Sequence, residues 1–430
     1  MQFASTRNSQ LRVSMSAALA QGLAADGGLY VPTEWPTLTA QAEADDLPTL
    51  AAELLQPLAA DDGLAAELPA ITREAFNFPA PLVSLDEARR LDVLELFHGP
   101  TAAFKDFGAR FLAAALGREV RAGGRALKVL VATSGDTGGA VAAAFHRRPG
   151  IEVIVLFPEG LVSPTQQQQL TCWGDNVRSF AVRGRFDDCQ RLVKQAFADE
   201  ALRRRFELSS ANSINLGRLL PQMVYYWSAS LKIWRRHRER ASFVIPSGNL
   251  GNATACVWAR KFGAPIETIV LAHNLNRTVP DYFADGVLRA RPSVATLSSA
   301  MDVGDPSNLE RLRSLYGDVA ALRAALSAVS IDDEATRARI RADFKRYRRI
   351  WCPHSAVAAE AFTRLPAEQT ASGRWVLVAT AHPAKFRESL EPLIGCELAL
   401  PESLQRLFER PARFERLEPQ LQALKDALSL

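Results

Sequence analysis

From about residue 91 onward the chain alternates short β-branched apolar runs with stretches of helical period. The runs fall at residues 127–132, 153–157, 177–182, 242–245, 268–272 and 375–379, each ending in a turn before a helical pattern of roughly 10–15 residues. Strands that are apolar on both faces and alternate with helices predict parallel sheets, because only crossover helices can join parallel neighbours. The fold class is α/β, and the turns after the strands are where a ligand is expected. Residues 1–90 differ: Ala- and Leu-rich helical patterns, as at 45–56 and 61–68, lie between Pro and Asp without a strong strand signal, which predicts a small helical N-terminal extension.

Composition narrows the class. With 48% hydrophobic and 23% charged residues in 430, the chain reads as folded and soluble, long enough for two or three domains at ~150 residues each. A net charge of only +4 argues against nucleic acid or an anionic membrane as partner. The arginine runs at 203–205, 235–240 and 345–349 read as solvated helix faces and last turns, where cations suit the helix dipole. An RNA-binding reading of them would predict binding that weakens steeply with salt. Trp234, Phe344, Tyr347 and Ile350 supply apolar spacing among the runs. Five scattered cysteines without CxxC, no signal-peptide core and no long apolar segment point to a cytoplasmic protein. HExxH, GxSxG, Gly-Lys and GxGxxG are absent, which disfavours zinc, a serine hydrolase elbow, a Walker loop and a dinucleotide fingerprint.

Three segments carry candidate chemistry. In HGPTAAFKDF (98–107) and the helical pattern after it, Phe104, Phe107, Phe111, Leu112, Ala115 and Leu116 share one face, with Asp106, Arg110 and Gly117 opposite. Lys105 falls inside the apolar arc and in the first helical turn, where desolvation and the positive end of the dipole both depress an ammonium pKa. A neutral amine there can form a Schiff base with an aldehyde, whereas a lysine that snorkels to solvent is the structural alternative. TSGDTGG (133–139) follows one strand and PSGNLGN (246–252) another; each sets hydroxyls or amides and close-approach glycines at a helix start, as an anion site requires. Asp136 or Ser134 is the expected helix cap in the first of these. In SSANSINLGRLLPQ (209–222), Arg218 sits one turn into a capped helix. ATAHPAKF (379–386) places Thr380 at the end of the last strand, and His382, like His354 in Cys352-Pro353-His354, reads as a structural hydrogen-bonding residue.

One amine and two anion cradles suit a pyridoxal phosphate enzyme. The motifs HGPTAAFKDF, TSGDTGG, NSINLGRLLPQ, PSGNLGN and ATAHPAKF, with STR (5–7) and DGGLYVP (26–32), resemble the threonine synthase family of its longer bacterial and fungal type, over residues 1 to about 400. The resemblance implies the fold-type II architecture shared with the tryptophan synthase β subunit. Residues 1–90 are then an N-terminal extension, 91–125 with 206–430 a large α/β domain that binds the cofactor, and 126–205 a smaller α/β domain. It implies conversion of O-phospho-L-homoserine and water to L-threonine and phosphate, by a monomer.

Carried over, Lys105 holds pyridoxal 5'-phosphate as a Schiff base and shuttles protons; Gly248, Asn249, Leu250, Gly251 and Asn252 hold its phosphate. Asp136 lies near the phenolic oxygen and Thr380 meets the pyridine nitrogen. Ser134 and Thr137 are expected to grip one anionic end of the substrate, and Arg218 or Lys385 the other. Leu250 stands where this type commonly has Phe, and Cys352 where an acidic residue is more usual. A fold-type II dehydratase or phospholyase, or a silent cofactor- or metabolite-binding homologue, would share much of the same set.

Overall fold

The computed structural model describes residues 1–121 and 126–429. The expected domain boundary after residue 125 and the last residue, 430, lie outside the described residues. The chain opens on a small antiparallel sheet, β1 (Phe3–Ser5), β2 (Arg12–Val13) and β3 (Tyr30–Pro32), in the order β2-β1-β3. These strands are two or three residues long, too short to leave a period-two signal, and they add to the expected helical extension. Its helices include Leu47–Leu55, capped by the Asp46 carboxylate on Thr49 N–H at 3.2 Å. The pattern at 61–68 is a turn followed by the 3-10 helix Ala65–Glu67, which leads into the α-helix Leu68–Ala75 with Pro69 in its first turn.

Next come β4 (Leu82–Asp86) and β5 (Leu91–Glu95), then β6 (Leu127–Ala132), β7 (Ile151–Pro158), β8 (Val177–Val182) and β9 (Glu207–Ser210). They are followed by β10 (Ala241–Pro246), β11 (Ile266–His273), β12 (Ser327–Ser330), β13 (Arg374–Ala379) and β14 (Glu415–Leu417). A six-stranded sheet has the order β12-β11-β10-β13-β5-β4, parallel except for edge strand β4. A five-stranded sheet, β14-β8-β7-β6-β9, is parallel throughout. The six expected strands are all present, each with at most a few residues added at its ends. The α/β class follows from them.

Alternation along the strands decides which layer each residue joins. In β10, Phe243 and Ile245 face the main core while Val244 faces a second cluster with Trp351 and Phe362; in β13, Val376 and Val378 oppose Trp375 and Leu377 in the same way. In β6, Val129 and Val131 enter the main core and Leu130 enters a third cluster with Leu192 and Leu424. The main core therefore touches the inner faces of both sheets, with each fully buried Val or Leu stabilising by roughly 1.5–3 kcal/mol.

The strands do not respect the expected segment limits. β9, at 207–210, pairs with β6, and the C-terminal β14 pairs with β8, so both lie in the sheet of residues 127–182. Helix Leu421–Ser429 covers the same sheet through Leu424 and Leu428. Position along the chain does not reveal such a return, because a three-residue edge strand acquires its partner only through tertiary contact. The arginine runs lie in the last turns of helices Glu200–Arg205, Gln222–His237 and Asp333–Tyr347 or just beyond them, as expected. Trp234 is 39% exposed and does not pack as its spacing suggested. Among the described residues no helix is long and apolar enough to cross a membrane.

Candidate active site

A cavity opens between the carboxyl ends of the two sheets, lined by the turns after β6 and β10, by the start of helix Lys105–Arg121, and among others by Asn212, Ser213, Arg218, Met301, His354 and Thr380. Lys105 is the first residue of its helix. The turn before it is pinned to the end of β13: Phe104 N–H donates to Thr380 O at 2.8 Å and His382 N–H to Ala102 O at 2.9 Å. Asp106, expected opposite the apolar face, is buried, because residue 101 folds back over it; Thr101 donates to it through its hydroxyl at 2.6 Å and its N–H at 2.9 Å.

Lys105 is half-buried only because its ammonium faces the cavity; the rest of its surroundings are protein. That burial, reinforced by the cations of Arg218 and Lys385 against the opposing carboxylate of Asp136, pushes its pKa down to about 8. Among the described residues neither a hydrogen bond nor an ion pair holds its Nζ, so the amine is available.

In the turn after β6, the helix Asp136–Phe145 begins after Gly135 at φ 136°, a conformation that a side chain would strain. The capping oxygen is neither Ser134 nor Asp136 but Thr133, whose Oγ1 accepts from Gly135 N–H and Gly138 N–H, both at 2.9 Å. Ser134 and Thr137 are thereby left half-buried on the cavity wall. Asp136 is buried on the same wall; burial alone would raise its pKa, but the ammonium groups of Lys385 and Lys105 hold it well below the usual carboxylate range.

Lys385, expected as one grip on the substrate, is corrected. Its side chain is fully buried behind Asp136, 2.8 Å from that carboxylate, and donates to Thr101 O at 2.9 Å. It is not among the cavity's lining residues, and both bonds are intramolecular. Arg218 does reach the cavity. It is 2% exposed, one guanidinium arm donates to Ala211 O, and its Nε has no hydrogen-bond partner among the described residues. Burial pushes its pKa down to about 10, and a buried guanidinium with no hydrogen-bonded carboxylate among the described residues is suited to take an anion.

In the turn after β10, Leu250 takes φ 60° and the helix Gly251–Lys261 starts directly behind it. The first N–H groups of that helix have no intrahelical acceptor, so they are available to an anion. Gly248 packs so closely that an added Cβ would stand 2.7 Å from Met301 Cα. Asn249 spends its side chain on protein, donating to Ser213 Oγ at 2.7 Å and accepting from Ser307 N–H at 2.6 Å. Asn252 is oriented differently: its Oδ1 accepts from the hydroxyls of Tyr225 at 2.6 Å and Tyr226 at 2.8 Å, and its buried Nδ2 is left without a partner.

Thr380 uses both backbone groups within the protein, its N–H on Ser355 Oγ at 3.1 Å, and keeps its hydroxyl for the cavity. His354, read from sequence as structural, lines the cavity too. Its Nε2 accepts from Ala300 N–H at 3.1 Å, which leaves the proton on the unpartnered, buried Nδ1. Burial holds its pKa at about 4, so it is a neutral donor. A His beside Pro at a helix start gives no sequence signal for this; only the helix Pro353–Thr363 carries it to the site. Cys352 caps that helix, accepting from Ser355 N–H at 3.4 Å. His382 accepts from Ala384 N–H at 3.2 Å and is structural, as expected.

This cavity presents one free amine, two helix starts and several unpartnered donors on a two-sheet α/β scaffold, and a family model described as pyridoxal-phosphate dependent enzyme matches residues 75–381. That is the class. Models described as threonine synthase N terminus and threonine synthase, C-terminal match residues 2–76 and 355–428. A threonine synthase of Haemophilus influenzae is 40% identical over 410 residues, 95% of this chain and 94% of its own length. The crystal structure of threonine synthase from Escherichia coli has a TM-score of 0.90 at 37% identity, covering 100% of this chain and 99% of that one. The PLP-bound threonine synthase from Brucella melitensis has a TM-score of 0.91 at 34% identity, covering 100% and 98%. The chain belongs to the threonine synthase family, and pyridoxal 5'-phosphate is its cofactor.

The residues present fit that group. An aldehyde needs the free Lys105 amine, and its anionic oxygens need donors such as the unpartnered Asn252 Nδ2, His354 Nδ1 and the helix start at Gly251.

Proposed function

We propose that the cavity converts O-phospho-L-homoserine and water to L-threonine and phosphate. The observation that carries the reading is the pairing of an unengaged, buried amine with donor-rich sites for anions on either side of it. In this reading Lys105 holds the cofactor aldehyde, the turn 248–252 holds its phosphate through backbone N–H groups and Asn252, Asp136 lies near the phenolic oxygen, and the Thr380 hydroxyl meets the ring nitrogen. When bound, pyridoxal phosphate supplies a carbonyl that captures the substrate amine and a ring that accepts the electron pairs released beside it.

The protein's own groups do the rest. Lys105 Nζ, with its pKa near 8, is poised to take the proton from the substrate Cα and then one from Cβ, so that phosphate can leave Cγ, and to return protons at Cγ and, once water has added at Cβ, at Cα. A hydroxyl at Thr380, unlike a carboxylate, does not force a proton onto the ring nitrogen, which moderates its electron demand. Ser134 and Thr137 take one anionic end of the substrate and Arg218 Nε the other. Lys385 keeps Asp136 ionised and touches no substrate. We further place the enzyme in the cytoplasm, which its scattered cysteines support, and as a monomer with a large and a small α/β domain, which the family resemblance supports.

The test is an absorbance spectrum of the protein beside Lys105→Ala, then addition of phosphohomoserine with threonine, phosphate and 2-oxo acid assayed separately. A Schiff-base band lost in the variant, with threonine and phosphate formed together, supports the reading. A 2-oxo acid in place of threonine overturns the substrate, and Arg218→Ala with unchanged KM and kcat removes that residue from the site.

A further inference from the structure

The STR and DGGLYVP motifs lie in the N-terminal extension, outside the cavity, and the reaction leaves them without a task. Both converge on the helix Leu309–Tyr316. Arg7 makes a two-pronged ion pair with Glu310, both contacts 3.0 Å, and Thr6 donates to the same carboxylate at 2.5 Å. Ser5 donates to Asp26 at 2.8 Å, which joins the two motifs to each other.

The next residue, Arg311, points inward and is fully buried. Its guanidinium has no carboxylate among the described ion pairs and serves instead as a four-way donor. It meets Tyr30 O at 3.1 Å, Ser213 O at 3.2 Å, Ile214 O at 2.6 Å and Asn308 Oδ1 at 2.6 Å. The same cation lies 5.9 Å from the ring centroid of Trp258, in the helix that opens at the cradle. Asn308 then donates from Nδ2 to Asn249 O at 2.9 Å, and Asn249 binds Ser213 Oγ. A planar, rigid fork is the side chain suited to hold four acceptors at fixed angles, and burying it without a carboxylate is costly unless each arm is satisfied.

We infer that Arg311 is a positioning residue that locks the cofactor cradle at 248–252 to the N-terminal extension, through Asn308 and Ser213 on one side and Tyr30 on the other. The STR and DGGLYVP motifs are the outer anchor of that lock. The inference rests on the reading that this cradle holds the cofactor phosphate. Arg311 itself touches neither cofactor nor substrate.

The test compares purified holoenzyme with Arg311→Lys and Asn308→Ala, and with Arg416→Gln as a surface control whose ion pair to Glu159 lies outside the network. Each protein is stripped of cofactor and titrated back with pyridoxal phosphate by absorbance, and its melting temperature is read with and without cofactor. Both variants are expected to raise the cofactor dissociation constant at least tenfold and to lose much of the melting shift that cofactor gives the parent protein, while Arg416→Gln does neither. A lower melting temperature with unchanged cofactor affinity makes Arg311 merely structural and overturns the inference. If Arg311→Lys does not fold, Asn308→Ala decides alone, since it leaves the three carbonyl contacts intact. Tight cofactor binding that survives Gly248 and Asn252 substitution would overturn the cradle reading, and the inference with it; normal cradle behaviour with an indifferent Asn308→Ala overturns the inference alone.

Discussion

The Lys385 ammonium lies 2.8 Å from the Asp136 carboxylate, and neither group meets bulk solvent: their side chains are 0% and 4% exposed. Gln166 adds a donor to the same oxygen at 3.1 Å, so Asp136 reaches the cavity as an ionised group already held in place. Removing one partner strands the other. Lys385→Met is expected to destabilise the protein by about 3–5 kcal/mol in thermal or denaturant unfolding, because a buried carboxylate is left uncompensated. Adding Asp136→Asn should restore a large part of that loss. Independent, additive losses from the two substitutions would show that the pair is not coupled.

Asn252 can donate into the cavity only while its carbonyl oxygen is held by Tyr225 and Tyr226. Tyr226→Phe deletes one of those bonds with little change of shape, at a cost of about 1 kcal/mol. Cofactor affinity should fall roughly fivefold, read by absorbance titration, and Asn252→Ala should fall further. An Asn252→Ala protein that holds cofactor as tightly as the parent contradicts this orientation.

Lys105, pushed down to about 8 by burial together with the facing cations of Arg218 and Lys385, is far more reactive at neutral pH than an ordinary lysine. At pH 7 about a tenth of it is neutral, against about 0.03% for a lysine at its usual pKa. The bimolecular rate of cofactor capture by the stripped protein should rise about tenfold per unit below pH 7 and level off near pH 8. A rate that keeps climbing to pH 10 would mean that the site does not depress the amine.

Gly248→Ala tests the close packing of the cradle, since the new Cβ meets the backbone of Met301 at 2.7 Å and backbone cannot swing aside as a side chain does. Stability is expected to drop by about 1–3 kcal/mol and cofactor binding with it. Calorimetry and the absorbance titration check both; an unaffected titration would mean that residues 300–301 give way without disturbing the turn.

Much of this was legible in the chain itself. Short β-branched apolar runs alternating with helical-period stretches located β6, β7, β8, β10, β11 and β13, because a strand apolar on both faces leaves its mark residue by residue. Lys105 stood out because a cation inside an apolar helical arc is a local contradiction. The Gly-rich turns stood out because close backbone approach restricts residue type. The short strands β1–β3 and β14 left no such trace, and neither did the cavity role of His354, which depends on where a helix 250 residues beyond Lys105 comes to rest.

The sequence by itself determined the α/β class, the lysine set in an apolar helical arc and the two Gly-rich turns at helix starts, since each is written in neighbouring residues and obeys local sterics and helix electrostatics. Only the tertiary structure decided that Lys385 faces Asp136, that Arg218 keeps a free Nε at the cavity, and that Arg311 ties Tyr30 to Asn308. The physical reason is that charge pairing and hydrogen-bond saturation are settled among groups as far as 281 residues apart. The same side chain is a ligand grip or a buried counter-ion according to which acceptor folding brings within 3 Å.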